Sequence, residues 1–216
     1  MCDIVIIGAG GFGREVAWLI ERINEETPKW HIVGWVDDGL EKGTLCGGYS
    51  VLGGIEYLEN SKEPLSVVCA IGSARTRKNV MQKILKKENL NFPNLVDPKA
   101  ILSSKINLGE GNIICAGNIL TVDIQIGDFN IINLDCTIGH DVVLGSFNTI
   151  YPGVHVSGCV TLQDETELGT GSQIIQGISI GESVIVGAGS VVIRSIPRKS
   201  TAVGNPAKVI KTSGER

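Results

Sequence analysis

Leu108-Gly109-Glu110-Gly111-Asn112-Ile113, Ile126-Gly127-Asp128-Phe129-Asn130-Ile131 and Leu144-Gly145-Ser146-Phe147-Asn148-Thr149 are copies of one phrase, each starting eighteen residues after the last. A shorter period lies inside the longer one. Steps of six from Val96 land on Leu102, Leu108, Ile114, Leu120 and onward to Val192, always on Ile, Leu or Val, before meeting Arg198. Neither a helix, at about 3.6 residues per turn, nor plain strand alternation, at about two, produces that spacing. It belongs to a solenoid whose short strands turn a corner every six residues, with three hexads to a coil. Equivalent residues then stack, so Asn112, Asn130 and Asn148 are expected to form a side-chain ladder and Phe129 to lie on Phe147. Glycine after the aliphatic position, as at Gly109, Gly127 and Gly145, is expected to supply the unusual backbone angles of the corner. Five to six coils at about 4.8 Å spacing predict a prism roughly 25 Å long, held by aliphatic stacking and hydrogen bonds between coils.

Upstream of this region the pattern changes completely. Asp3-Ile-Val-Ile-Ile7 is an apolar, β-branched run that leads into Gly8-Ala9-Gly10-Gly11-Phe12-Gly13. Arg14–Ile23 follows with Val16, Leu19, Ile20 and Ile23 on one helical face. Strands are predicted at His31–Val36, ending in Asp37-Asp38, and at Val67–Ile71, ending at Gly72-Ser73, with a further helix over Asn79–Lys87. Strand, helix, strand in this order implies a parallel sheet with right-handed crossovers, and such sheets bind ligands beyond the carboxyl ends of their strands. Gly8, Gly10 and Gly13 satisfy G-x-G-x-x-G, and glycines there admit a diphosphate to the following helix N-terminus. Tight strand–helix packing demands the same glycines, so the fingerprint alone does not identify the ligand. Asp37 and Asp38 are candidates for a ribose or base contact. Pro93 and Pro98 bracket the junction, which divides the chain into an α/β Rossmann-like nucleotide-binding domain, 1–94, and a solenoid domain with a C-terminal tail, 95–216.

Composition narrows the function classes. Gly is abundant at 28 residues and aromatics make up only 5%, which suits many tight turns around an Ile, Val and Leu core. Net charge is −4 and no basic run exceeds Lys86-Lys87, so no nucleic-acid partner is expected. Ile4–Ile7 is too short for a signal peptide or a membrane span and reads as a buried strand. Six cysteines form neither a C-x-x-C pair nor a compact framework, which predicts free thiols in a reducing cytoplasm.

Two histidines lie in the solenoid, His140 in Ile138-Gly139-His140-Asp141 and His155 in Val154-His155-Val156. Imidazole is the natural general base near neutral pH, and an adjacent carboxylate can fix its tautomer and stabilise the imidazolium. His140 with Asp141 is therefore the better candidate. Neighbouring residues point apart on a regular strand, so the pairing requires the corner or a carboxylate from another chain.

Asn133-(x)₆-His140-Asp141-(x)₃-Gly145, with the Gly8–Gly13 loop, Trp35-Val36-Asp37-Asp38 and Val203-Gly204-Asn205-Pro206-Ala207-Lys208, resembles the hexapeptide-repeat sugar acetyltransferases. These are grouped with the sialic-acid O-acetyltransferases and the UDP-4-amino-sugar N-acetyltransferases. The resemblance implies a left-handed parallel β-helix, assembly as a homotrimer, and acetyl-CoA as co-substrate with no metal. It places the nucleotide of an activated sugar on Gly8, Gly10, Gly11, Phe12, Gly13, Asp37 and Asp38, with Gly72 and Arg75 near its phosphates or sugar. His140 would take the proton of the attacking amine while Asp141 orients the ring. The thioester would lie near Gly158, Thr170 and Ala188, its carbonyl polarised by backbone N–H groups. Thr149 stands where many relatives carry a second histidine and would contact the acetyl group by its hydroxyl. Phe12 replaces a histidine of several relatives, and stacking on the ligand and packing on the sheet are both open to it. The reading implied is N-acetylation of a nucleotide-linked amino sugar. O-acetylation of sialic acid or another sugar hydroxyl and a non-catalytic sugar-nucleotide sensor are the alternatives. A zinc hydratase on the same scaffold needs three imidazoles, and His140 and His155, fifteen residues apart, do not stack at period eighteen.

Overall fold

The computed structural model describes residues 1–212; residues 213–216, the end of the C-terminal tail, lie outside the described residues. The chain divides into two compact units, Met1–Pro98 and Lys99–Arg216.

The first unit is an α/β layer structure. Its elements run β1 (Cys2–Ile7), α1 (Gly11–Glu26), β2 (Trp30–Val36), β3 (Leu45–Cys46), β4 (Tyr49–Gly53), α2 (Glu56–Asn60), β5 (Leu65–Cys69), α3 (Ala74–Met81) and β6 (Leu90–Asn91). The sheet order is β3-β4-β2-β1-β5-β6, parallel except for the β3–β4 hairpin. Ile4, Val5 and Ile6 are wholly buried because the central strand is covered on both faces. Helix α1 packs Gly13, Val16, Ala17, Leu19 and Ile20 inward, the spacing of one helical face. It begins at Gly11, before the predicted Arg14. Gly13 makes this possible, since a Cβ there would lie 2.0 Å from the Gly8 carbonyl oxygen. The helix is therefore seated against the strand end by the absence of a side chain. Arg22 on its outer turns pairs with the buried Asp97 at 2.6 Å.

The helix expected over Asn79–Lys87 lies earlier, at Ala74–Met81. Ser73 caps it, its hydroxyl accepting from the Thr76 N–H. Past Gln82 the chain tightens into turns with Ile84 N–H on the Met81 carbonyl and Lys87 N–H on the Ile84 carbonyl. Those bonds pull Ile84 into the core, where it is 0% exposed, and end the α-helix.

The second unit is a left-handed parallel β-helix. Two-residue strands pair with their equivalents one coil on, as in Ile113↔Ile131, Thr137↔His155 and Val143↔Thr161, and build three parallel sheets. From Leu120 to Val192 every sixth residue is 5% exposed or less, so the aliphatic column found in the sequence is the core. The asparagine ladder forms. Asn112 Oδ1 accepts from the Asn130 backbone N–H at 2.9 Å, Asn130 Oδ1 from the Asn148 N–H at 2.8 Å, and Asn148 Oδ1 from the Thr166 N–H at 2.8 Å. Phe129 stacks on Phe147 with centroids 5.2 Å apart.

The corners are made differently from the expectation. Every sixth residue from Gly111 to Gly189 has positive φ, and this set includes Asp123, Phe129, Asp135, Asp141, Phe147, Cys159, Glu165 and Ser183 as well as glycines. Gly109, Gly127 and Gly145, two residues before such positions, are absent from that left-handed set. Their need for glycine is steric: a Cβ on Gly109 would meet Gly127 backbone at 2.7 Å, and one on Gly127 would meet Gly145 backbone at 2.9 Å. Coil stacking, not torsion, selects glycine there. Ser200–Val203 adds to the last coil and pairs antiparallel with Lys208–Thr212, which covers the open edge. Among the described residues no helix is long and apolar enough to cross a membrane.

Candidate active site

In the first unit, β1 lies between β2 and β5, and its chain reverses direction across the sheet at that point. The loops after these three strands wall a cavity of about 220 Å³ lined by Gly8, Asp37, Asp38, Ile55, Ile71 and Thr76, among others. A wider depression of about 900 Å³ continues from Asp37 and Asp38 towards Lys42, Gly54, Tyr57 and Lys62. This is where an open parallel sheet offers a ligand site. Gly8 has φ +97, which a side chain would strain, while Cβ atoms on Gly10 and Gly11 would meet nothing within 4 Å. The outer face of the glycine loop is thus open.

Both acids serve the loops first. Asp37 Oδ2 accepts the Ala9 N–H at 2.9 Å and its Oδ1 accepts the Gly39 N–H at 2.9 Å. Asp38 Oδ1 accepts the Ile55 N–H at 2.7 Å. The carboxylates hold the cavity walls in place, with lone pairs remaining for a ligand. Of the other residues expected near a nucleotide, Phe12 is half-buried, Gly72 is half-buried beside Ile71, and Arg75 is exposed on the first turn of α3.

Arg77 was not anticipated from the sequence. Only 1% exposed, it donates to the Ile71 carbonyl at 2.6 Å and the Gly72 carbonyl at 3.1 Å. A buried guanidinium must be compensated, and here it binds the loop that ends β5. Nearby, burial pushes the Cys69 thiol up to about 11, against a smaller downward pull from Arg77. No sequence signal marks Arg77, since three other cations flank it at Arg75, Lys78 and Lys83.

In the second unit, His140 and Asp141 stand exposed at one corner of the coil. Asp141 adopts φ 58, so the two neighbouring side chains turn to the same side, and His140 Nδ1 lies 2.7 Å from Asp141 Oδ2. The corner supplies what a regular strand cannot. A carboxylate only accepts, so in the neutral ring Nδ1 carries the proton and Nε2 the lone pair. Gly158, one coil on, lies beneath the ring: a Cβ there would be 2.5 Å from His140 Nε2. The neighbouring Cys159 N–H donates to the His140 carbonyl at 2.8 Å. At a different corner, the amides of Glu110, Asp128 and Ser146 are bound by Asp128, Ser146 and Asp164 side chains. Among the described residues the Gly158 N–H takes no such partner.

The remaining expected residues lie elsewhere in the coil. Thr170 and Ala188 are exposed and stack on each other at the corner that precedes the His155 face, one hexad from the His140–Gly158 column. Thr149 is 1% exposed, between Ile131 and Glu167 on the sheet face. His155 sits within a strand, its Nδ1 2.8 Å from Thr137 Oγ1, and does not join His140.

The family model for the PglD N-terminal domain matches residues 3–84. Across its whole length the chain is similar to solved structures. PerB from Caulobacter crescentus, solved in complex with CoA and GDP-perosamine, is 31% identical with a TM-score of 0.88, covering 98% of each chain. The acetyltransferase domain of PglB from Neisseria gonorrhoeae is 30% identical with a TM-score of 0.88, covering 97% of this chain and 100% of that one. WeeI from Acinetobacter baumannii is 30% identical with a TM-score of 0.87 at the same coverage, 97% and 100%. The Neisseria domain has also been solved in complex with acetyl coenzyme A. A search of the curated proteins returned no match.

Proposed function

The chain belongs to the hexapeptide-repeat sugar acetyltransferases, and we propose that it moves an acetyl group from acetyl-CoA to the amino group of a nucleotide-linked sugar. The observation that carries this reading is the His140–Asp141 hydrogen bond of 2.7 Å at an exposed corner, with the ring seated on Gly158. That arrangement leaves Nε2 as an acceptor held at one place, which a general base requires. The acceptor amine attacks the thioester carbon and passes its proton to Nε2, while Asp141 stabilises the imidazolium. The carbonyl oxygen becomes an oxyanion, for which the Gly158 N–H is the nearest donor assigned. Collapse expels the coenzyme A thiolate, which recovers the proton from the imidazolium. One well-placed donor of this kind contributes about 3–4 kcal/mol to such a step.

The glycine loop from Gly8 to Gly13 and the N-terminus of α1 are assigned to the diphosphate, the free lone pairs of Asp37 and Asp38 to ribose or base, and Gly72 and Arg75 to phosphate or sugar. Phe12, half-buried on that loop, is assigned to the sugar face. The base is read as uracil and the acceptor as a 4-amino sugar, on the resemblance of the motifs. Thr170 and Ala188 stand at a different corner from His140, so coenzyme A bound along them meets the base when a second copy supplies that corner. We read the assembly as a homotrimer with sites between prisms, which this placement supports. Thr149, buried in the single chain, keeps its assigned acetyl contact only where the assembled site reaches it. Six free cysteines suit a reducing cytoplasm.

The test is acetyl transfer from acetyl-CoA across UDP-4-amino sugars, GDP-4-amino sugars and sialic acid, with the acetylated product identified by mass. Rapid transfer to a UDP-4-amino sugar supports the reading in full, and transfer to a guanosine sugar alone corrects the base. Turnover with sialic acid only moves the reaction to a hydroxyl. Nucleotide binding without transfer to any acceptor overturns the assignment in favour of a sensor.

A further inference from the structure

The corner that carries His140 holds a third group that acetyl transfer does not use. Asp123, Asp141 and Cys159 occupy equivalent positions in successive coils, each with φ of 57 or 58. Equal torsions at one coil spacing send the Asp141 carboxylate and the Cys159 thiol to the same side, where His140 Nδ1 bonds Asp141 at 2.7 Å and the thiol stands within reach of both. One ligand atom from each of His140, Asp141 and Cys159 falls within 4.8 Å of the others, and all three residues are exposed. Tetrahedral coordination by nitrogen, oxygen and sulfur at about 2.0–2.3 Å places ligand atoms roughly 3.3–3.6 Å apart. Exposed side chains close the remaining ångström by small rotations, since the backbone already presents them in one direction. Imidazole, carboxylate and thiolate together select a borderline-soft cation over calcium or magnesium.

We propose that His140, Asp141 and Cys159 form a binding site for a divalent cation of the zinc class, and that its occupancy silences the transferase by taking its base. The thiol proton leaves to solvent on binding, Cys159 enters as thiolate, and water takes the fourth position. A nitrogen of His140 is then committed to the metal, and Asp141 exchanges its imidazole hydrogen bond for the metal bond. Such a site inhibits and does not catalyse, because acetyl transfer by imidazole needs the ring free. The silencing rests on the reading of His140 as base; the metal binding does not.

Cobalt(II) titration of the full-length chain reads the binding. The expected result is a thiolate-to-cobalt charge-transfer band that saturates at one ion per chain and is lost in Cys159→Ser. Acetyl transfer, followed by product mass, is expected to fall at least tenfold at saturating micromolar zinc chloride and to return with chelator. In Cys159→Ser the untreated activity stays at the wild-type level and the zinc concentration for half-inhibition rises at least tenfold. Absence of the band, or its persistence in Cys159→Ser, overturns the site. A band without loss of turnover overturns the silencing. Turnover of His140→Ala in metal-free buffer separates the two ideas: an active His140→Ala chain removes the base reading while the cobalt band still decides the site.

Discussion

At the scale of single residues, chemistry is assigned to one imidazole and to the groups that aim it. His140→Ala is expected to lower kcat at least about 10²-fold with nucleotide-sugar binding unchanged, as for loss of a general base. Single-turnover kinetics and calorimetry with the nucleotide separate these two effects. Gly158→Ala is the sharper test of geometry. Its methyl would stand 2.5 Å from Nε2, so the ring must move, and kcat is expected to fall about 10–10²-fold without change in nucleotide affinity. In the His140→Ala background the same substitution should do nothing further, because the ring it displaces is gone. An undiminished effect there would mean that the added methyl acts on the thioester or its donor at Gly158 and not through the ring. The histidine and its carboxylate were legible in the sequence, as was the need for a corner to unite them; that Gly158 seats the ring was not, since the resemblance gave Gly158 only as a coenzyme A contact. The identity of that corner was not, since Asp141 adopts its positive φ without being a glycine.

At the scale of elements, the solenoid stands on columns of repeated contacts. Asn130→Ala removes the acceptor of the buried Asn148 N–H, and leaving such a donor bare costs about 1–3 kcal/mol. Thermal melting should show a drop of roughly 2–4 °C per kcal/mol for a chain of this size. A melting point unchanged by Asn130→Ala would mean that the ladder is decorative. Two buried thiols add a pH dependence. Burial pushes Cys69 and Cys136 each up to about 11 from an ordinary value near 9. The folded chain then holds these protons more tightly than the unfolded one, so stability falls as pH rises from about 9 to about 11. Melting followed across that window should steepen downward in the wild type and flatten in Cys69→Ala. Of the predicted elements α3 moved furthest, because the cap at Ser73 is a local signal while the turn at Ile84 is imposed by the core; the strand expected at Val67–Ile71 lies two residues earlier, at Leu65–Cys69.

At the scale of the whole molecule, four of the solenoid residues expected at the site, His140, Gly158, Thr170 and Ala188, divide between two corner columns. Residues eighteen apart stack, as His140 and Gly158 do, but Thr170 and Ala188 fall in another column. The proposed site needs both columns, and in the proposed assembly a second chain completes it. Light scattering at assay concentration is expected to give the mass of three chains. Co-assembly of inactive His140→Ala chains with inactive Thr170→Tyr chains is expected to restore part of the activity, since some interfaces then pair two intact corners. A monomer, or no recovery in the mixed assembly, would place the complete site within one chain.

The sequence by itself determined the solenoid, its coil length, its stacked columns and the α/β unit before it. Each coil repeats the same local problem, so an aliphatic residue every six positions and a recurring phrase every eighteen leave one solution. Tertiary structure alone decided where the side chains point at the corners, that Arg77 binds the loop after β5, and that Cys159 stands beside the catalytic candidates. The physical reason is common to all three. Periodicity states which residues are neighbours, whereas direction depends on the sign of φ at each corner and on which buried group needs a partner.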